Sequence, residues 1–138
     1  LNIKDVKLPD GWDETSDMLK EMMFIQERQA RAYIEIEGDR RPTPTFPVDL
    51  DDPRGQDMIK VVCYLIVEEL SEATNCLKMK PHCKTHIHTD RDHFYEELSD
   101  ALHFFLELLL LVGLSAQDVL KLYLLKSQVN EFRRESGY

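Results

Sequence analysis

The sequence predicts an all-α protein of four helices, and three observations carry that reading. Apolar residues recur at three- and four-residue intervals through each long segment. Start signals stand in front of three of those segments: Asp52-Pro53, Thr89-x-x-Asp92 and Ser115-x-x-Asp118. No stretch alternates apolar and polar residues as a half-buried strand does.

Residues 1–12 read as an irregular lead-in that ends at Pro9-Asp10-Gly11. The first helix is expected over 13–37, stopped by Gly38, with Leu19, Met22, Met23, Ala30 and Tyr33 on its apolar stripe and Gln26 in the middle of it. Arg40–Arg54 holds four of the six prolines and is expected to be a loop. Asp52 as N-cap and Pro53 at the first helical position open a second helix over 53–79, with Pro81 soon after. Residues 80–90 form an exposed connection, and a Thr89–Asp92 capping box starts a third helix over 90–112 that ends at Val112-Gly113. Ser115 and Asp118 repeat the device for a fourth, over 116–135.

The 138 residues are expected to form one domain, long enough to bury a core. A net charge of −9 leaves no excess of Lys and Arg to neutralise phosphates, which argues against a nucleic-acid partner. Three cysteines without regular spacing do not suggest a disulfide framework, and the expectation is a reducing cytoplasm. The apolar run from Ala101 to Leu114 carries His103 and Glu107 and is too short to span a bilayer, so no membrane partner is expected and no signal peptide is evident.

Two short echoes, Glu69-Leu70-Ser71-Glu72 and Glu97-Leu98-Ser99-Asp100, are the chemically informative stretches. Taking Glu69 as zero and 100° per residue, Val62, Leu65, Ile66 and Ala73 fall within about 60° of it. Phe94, Ala101, Phe104 and Leu108 fall within about 60° of Glu97. The acids thus lie on or beside apolar stripes, where an unpaired carboxylate is costly and a cation is expected to meet it. His93 is about 40° from the same stripe, whereas His103 points away.

The fourth helix supplies a basic counterpart. Lys126, Asn130 and Arg133 continue the stripe of Val119, Leu122 and Tyr123, turning it polar over its last two turns. Inward acids on two helices and inward basic groups on another suit a metal–phosphate site. Carboxylate oxygens suit Mg²⁺, and Lys and Arg suit phosphate. The set Cys76, His82, Cys83, His86, His88 and, further on, His93 lacks the spacing of a zinc site, and the connection reads as an exposed loop. A di-iron bundle requires Glu-x-x-His on two helices, and Glu69, Glu72 and Glu97 have no His at that offset.

The pattern Glu69-x-x-Glu72, a gap, then Glu97-x-x-Asp100 resembles the metal-binding signature of the all-α NTP pyrophosphatase superfamily. That superfamily holds the dimeric dUTPases, the phage dCTP/dUTP pyrophosphatases and the MazG-type enzymes. The C-terminal run with Lys126, Asn130, Arg133 and the final Gly137-Tyr138 is similar to the phage dCTPase-dUTPase branch. The resemblance covers the chain from about residue 58 onward, weakens over the first helix and is absent over the proline-rich loop.

It implies a four-helix, bundle-like fold completed by dimerisation, and a hydrolase of nucleotide metabolism that turns a dNTP, dUTP or dCTP, into dNMP and pyrophosphate. Glu69, Glu72, Glu97 and Asp100 are then expected to hold two or more Mg²⁺ ions, with Mn²⁺ a substitute. Glu68 or Glu69 acts as the catalytic base, a choice the sequence leaves open. Lys126, Asn130 and Arg133 take the phosphates or sugar, Gln26 the base edge, and Tyr138 closes over the nucleotide. Two alternatives remain at this point: a purine-directed relative from a phage with modified DNA, and a non-catalytic helical binding protein. The apolar girth of the third helix from Leu98 to Val112 adds an expected homodimer or tetramer, located in host cytoplasm if the source is viral.

Overall fold

A computed structural model describes residues 5, 7, 10–13, 16–37, 47–85 and 87–137, and for residue 34 the backbone alone. The protein is all-α: α1 Met18–Glu37, α2 Pro53–Asn75, α3 Arg91–Leu111 and α4 Ala116–Glu135, with no strand among the described residues. Gly38, His86 and Tyr138, each given a role by the sequence, lie outside them.

The helix ends show which local signals win. α1 begins at Met18 rather than at 13, because Asp17 caps it: the Lys20 N–H donates to Asp17 Oδ1 at 3.0 Å. α2 starts where expected, with Asp52 in extended conformation (φ −87°, ψ 128°) accepting the Arg54 N–H and Pro53 following. It stops at Asn75, four residues before the expected Met79. Cys76 is the last buried residue of its stripe, and Leu77 to Lys80 are exposed, so a further turn would bury nothing.

The expected Thr89 capping box is replaced by Asp90, whose Oδ1 accepts the His93 N–H at 3.2 Å. A carboxylate there also meets the positive end of the helix dipole. At the other end of α3, Gly113 (φ +78°) closes a Schellman turn, with Leu114 N–H on the Leu109 carbonyl and Gly113 N–H on that of Leu110, both at 3.0 Å. α4 has the expected capping box, and the N–H and hydroxyl of Ser115 hold the Asp118 carboxyl below the usual carboxylate range.

α2 and α3 form the main contact, α1 packs on α3, and α4 touches α1 only thinly. The core under the α2–α3 seam is Val48, Val62 and Leu111, backed by Met58, Ile59, Ile66, Phe104 and Leu108. Val48 comes from the end of the proline-rich loop, so that loop is not mere connection. Its N–H donates to the Leu111 carbonyl at 2.8 Å, satisfying one of the orphan acceptors at the end of α3. Gly55 lets the preceding turn close on α2, since a Cβ there would stand 2.1 Å from the Asp49 carbonyl oxygen.

Among the described side chains of α1, Met23, Gln26 and Ala30 are buried, whereas Met22 and Tyr33 of the expected stripe are exposed. α4 departs most from the bundle reading. The chain bends by 102° between α3 and α4, and no α4 residue is buried. The four helices therefore do not close a bundle within one chain. No single described helix is long and apolar enough to cross a membrane.

Candidate metal centre

Glu69 on α2 and Glu97 and Asp100 on α3 meet at the seam. Each offers a carboxylate oxygen, and these oxygens all lie within 4.8 Å of one another. Glu97 is the deepest, only 5% exposed, and Glu69 and Asp100 are half-buried. The apolar stripes pull the two helices together, and the i, i+3 spacing on α3 then brings two acids to one place.

Three like charges in a partly dry seam resist ionisation together. Burial first, then a hydrogen bond with Glu97, then the charges of Glu72, Asp100 and Glu97 push the Glu69 carboxyl up to about 7 from 4.5. This is the electrostatic signature of a site short of positive charge. An all-oxygen donor set at such separations fits a hard divalent cation such as Mg²⁺.

The fourth expected ligand stands apart. Glu72 is exposed, at the rim of the seam, because its offset from Glu69 carries it past the apolar stripe; its charge still reaches Glu69. Glu68 is exposed as well and contributes nothing to the cluster. Lys126, Asn130 and Arg133 do share a face of α4 but are exposed rather than inward, since the bend after α3 carries that face away from the seam. Tyr138 falls outside the described residues.

Gln26 is where the stripe placed it, 7% exposed on α1, and its Oε1 is buried without a hydrogen-bond partner. A buried acceptor left so costs about 1–3 kcal/mol and calls for an explanation. His82, Cys83 and His88 lie exposed in the connection before α3, and no metal-compatible cluster includes them among the described residues. Cys76 is buried, which pushes its thiol up, with the Asp90 charge adding to the effect, so it is not a reactive thiolate. His103 is exposed, with Nδ1 2.8 Å from the Ser99 carbonyl oxygen.

One polar contact at the site was only faintly legible. His93 Nε2 lies 2.5 Å from Glu97 Oε1, one turn earlier on α3. The i, i+4 spacing that makes it possible and the stripe position of Glu97 are visible in the sequence, but which way the imidazole turns is not. A cleft of about 530 Å³ opens elsewhere, at the entry to α1 between Trp12, Lys20, Glu21 and Phe24, and none of the acids lines it.

An all-helical chain with a three-carboxylate cluster at a helix seam is thus the class that the fold and site define. No family model, curated protein or solved structure matches the chain.

Proposed function

We propose that this protein is a Mg²⁺-dependent nucleoside triphosphate pyrophosphohydrolase of the all-α NTP pyrophosphatase type, acting on a deoxynucleotide, dUTP or dCTP. The observation that carries the reading is the convergence of Glu69, Glu97 and Asp100 from the two acid echoes into one cluster. The resemblance of those echoes to the superfamily signature gives the cluster its chemistry.

In this reading Glu69, Glu97 and Asp100 hold the cation, with Mn²⁺ able to replace Mg²⁺, and Glu72 stands at the rim for a second ion. The bound cation supplies charge neutralisation on the phosphates and acidifies a water. Glu69 rather than Glu68 is the base, because its carboxylate stands in the cluster beside the water the cation would hold, while Glu68 lies out in solvent. The water oxygen bonds to the α-phosphorus, its proton passes to the Glu69 carboxylate, and the Pα–O–Pβ bond breaks, leaving dNMP and pyrophosphate.

The basic residues call for a second copy. Lys126, Asn130 and Arg133 belong to a helix that buries nothing, beside the exposed apolar side chains Leu122, Leu125, Val129 and Phe132. Apolar side chains exposed along one helix face mark a surface that another copy can cover. A homodimer or tetramer covers α4 and brings its Lys, Asn and Arg against a nucleotide-bearing seam. Gln26, with its unpartnered carbonyl, is the residue assigned to the nucleobase.

The test is a panel of the dNTPs and dUTP with Mg²⁺, scored for monophosphate and pyrophosphate. Turnover of dUTP or dCTP is expected. Turnover of dGTP or dATP alone changes the base but keeps the reaction, and no turnover of any of them leaves a non-catalytic binding protein.

A further inference from the structure

We propose that His93 is a positioning residue for the acid cluster, holding the Glu97 carboxylate turned toward Glu69 and Asp100. This rests on the reading of the cluster as a cation site.

The geometry forms a relay from a helix cap to the seam. Asp90 caps α3 and fixes the backbone N–H of His93 at 3.2 Å, so the imidazole is carried by the first, pinned turn of the helix. From there Nε2 reaches Glu97 Oε1 at 2.5 Å, and Glu97 in turn hydrogen-bonds Glu69 across the seam. Glu97 has three side-chain torsions and stands among other acids, a setting that turns a loose carboxylate away from its neighbours. A donor fixed one turn back opposes that.

His93 does not join the group whose donor atoms all approach within 4.8 Å, and about half of its side chain is in solvent. It therefore orients a ligand rather than serving as one. Outer partners of this kind are worth roughly 10–100-fold in metal affinity. Because the ring is half-exposed, replacing it leaves the core intact, so a variant is expected to fold.

The experiment titrates Mn²⁺ into the full chain and follows free Mn²⁺ by electron paramagnetic resonance, which reads affinity without turnover. The wild type is compared with Glu97→Gln, His93→Ala and His93→Gln, each checked for unchanged helicity. Expected are binding by the wild type, its loss in Glu97→Gln, weakening by about 10-fold or more in His93→Ala, and recovery of most of it in His93→Gln, whose amide keeps an N–H donor. Wild-type affinity in His93→Ala, with Glu97→Gln still impaired, overturns the role of His93 alone. No recovery in His93→Gln overturns the donor role. Equal binding by the wild type and Glu97→Gln removes the cation site itself, and the inference with it.

Discussion

The α2–α3 pair and α4 are built from similar material and end in opposite situations. Each carries an apolar stripe interrupted by charged residues. On α2 and α3 the stripes find each other, so Glu69, Glu97 and Asp100 are drawn half or wholly out of water, and the Glu69 carboxyl is pushed up to about 7 as a result. On α4 the stripe makes only a thin contact with α1 and buries no residue, so Lys126, Asn130 and Arg133 remain exposed. A polar group on an apolar face becomes a site only when something covers that face. The seam is covered from within the chain, and in our reading α4 is covered by another copy.

The largest effect separates the two regions by activity. Glu97→Gln removes a buried carboxylate of the cluster and, in the proposed reading, is expected to lower kcat by roughly 10³, at the upper end for deleting one preorganised electrostatic group. Arg133→Ala is expected to cost about 10², and more of it in KM, because in the proposed reading its phosphate contact forms only on binding. Initial rates against dUTP and dCTP measure both. Similar losses in kcat from the two variants would erase the distinction drawn between them.

Stability separates them next. Leu111→Ala, at a side chain 1% exposed in the core, is expected to cost about 2–5 kcal/mol in urea unfolding. Leu125 is exposed on a helix with no buried residue, and Leu125→Ala is expected to change the stability of a single chain by no more than about 0.5 kcal/mol. Leu125→Glu is instead expected to dissociate the oligomer, read by light scattering. Retention of the oligomer would mean that copies meet through another surface.

The unequal fates of the two regions also explain how much the sequence disclosed. Helix number and type, the α2 and α4 starts and the Gly113 stop were legible because they depend on residues within four positions of one another. The meeting of Glu69 with Glu97 and Asp100 was legible because helical arithmetic put each on an apolar stripe, and stripes seek each other. The exposure of Glu72 and of the α4 residues was not. Both depend on where a stripe's edge or its covering surface lies, which is a property of tertiary packing. Val48 escaped notice for the same reason: it is a loop residue whose burial follows from the position of Leu111, 63 positions on. Asp90 was hidden by competition, since Thr89 and Asp90 both qualify as caps and only the geometry chooses.

An intermediate effect follows from the crowding of acids at the seam. Glu69 has its folded value near 7, raised from 4.5. Below about pH 4.5 the proton is bound in both states. Between about 4.5 and about 7 the unfolded chain releases it first, so the metal-free protein is expected to lose stability as pH rises through that window, and the loss is complete above it. Glu69→Gln is expected to flatten that fall in thermal unfolding and to abolish stabilisation by Mg²⁺ at pH 8. Mg²⁺ that stabilises the variant as well as the wild type would place the ion elsewhere.

The smallest effect concerns α1, which packs on α3 but brings no acid to the seam. Gln26 is nearly inaccessible and its Oε1 has no partner, a cost the free protein carries without return. Replacing it by Met, of similar length and without the orphaned acceptor, is expected to raise stability by about 1 kcal/mol. If the carbonyl is kept for a nucleobase, the same change raises KM for the preferred dNTP while leaving kcat within a few-fold, since the amide lies outside the acid cluster. Stabilisation with an unchanged KM across the panel would make Gln26 a packing residue and move the base pocket away from α1. Destabilisation instead would show that the amide has a partner in the folded protein.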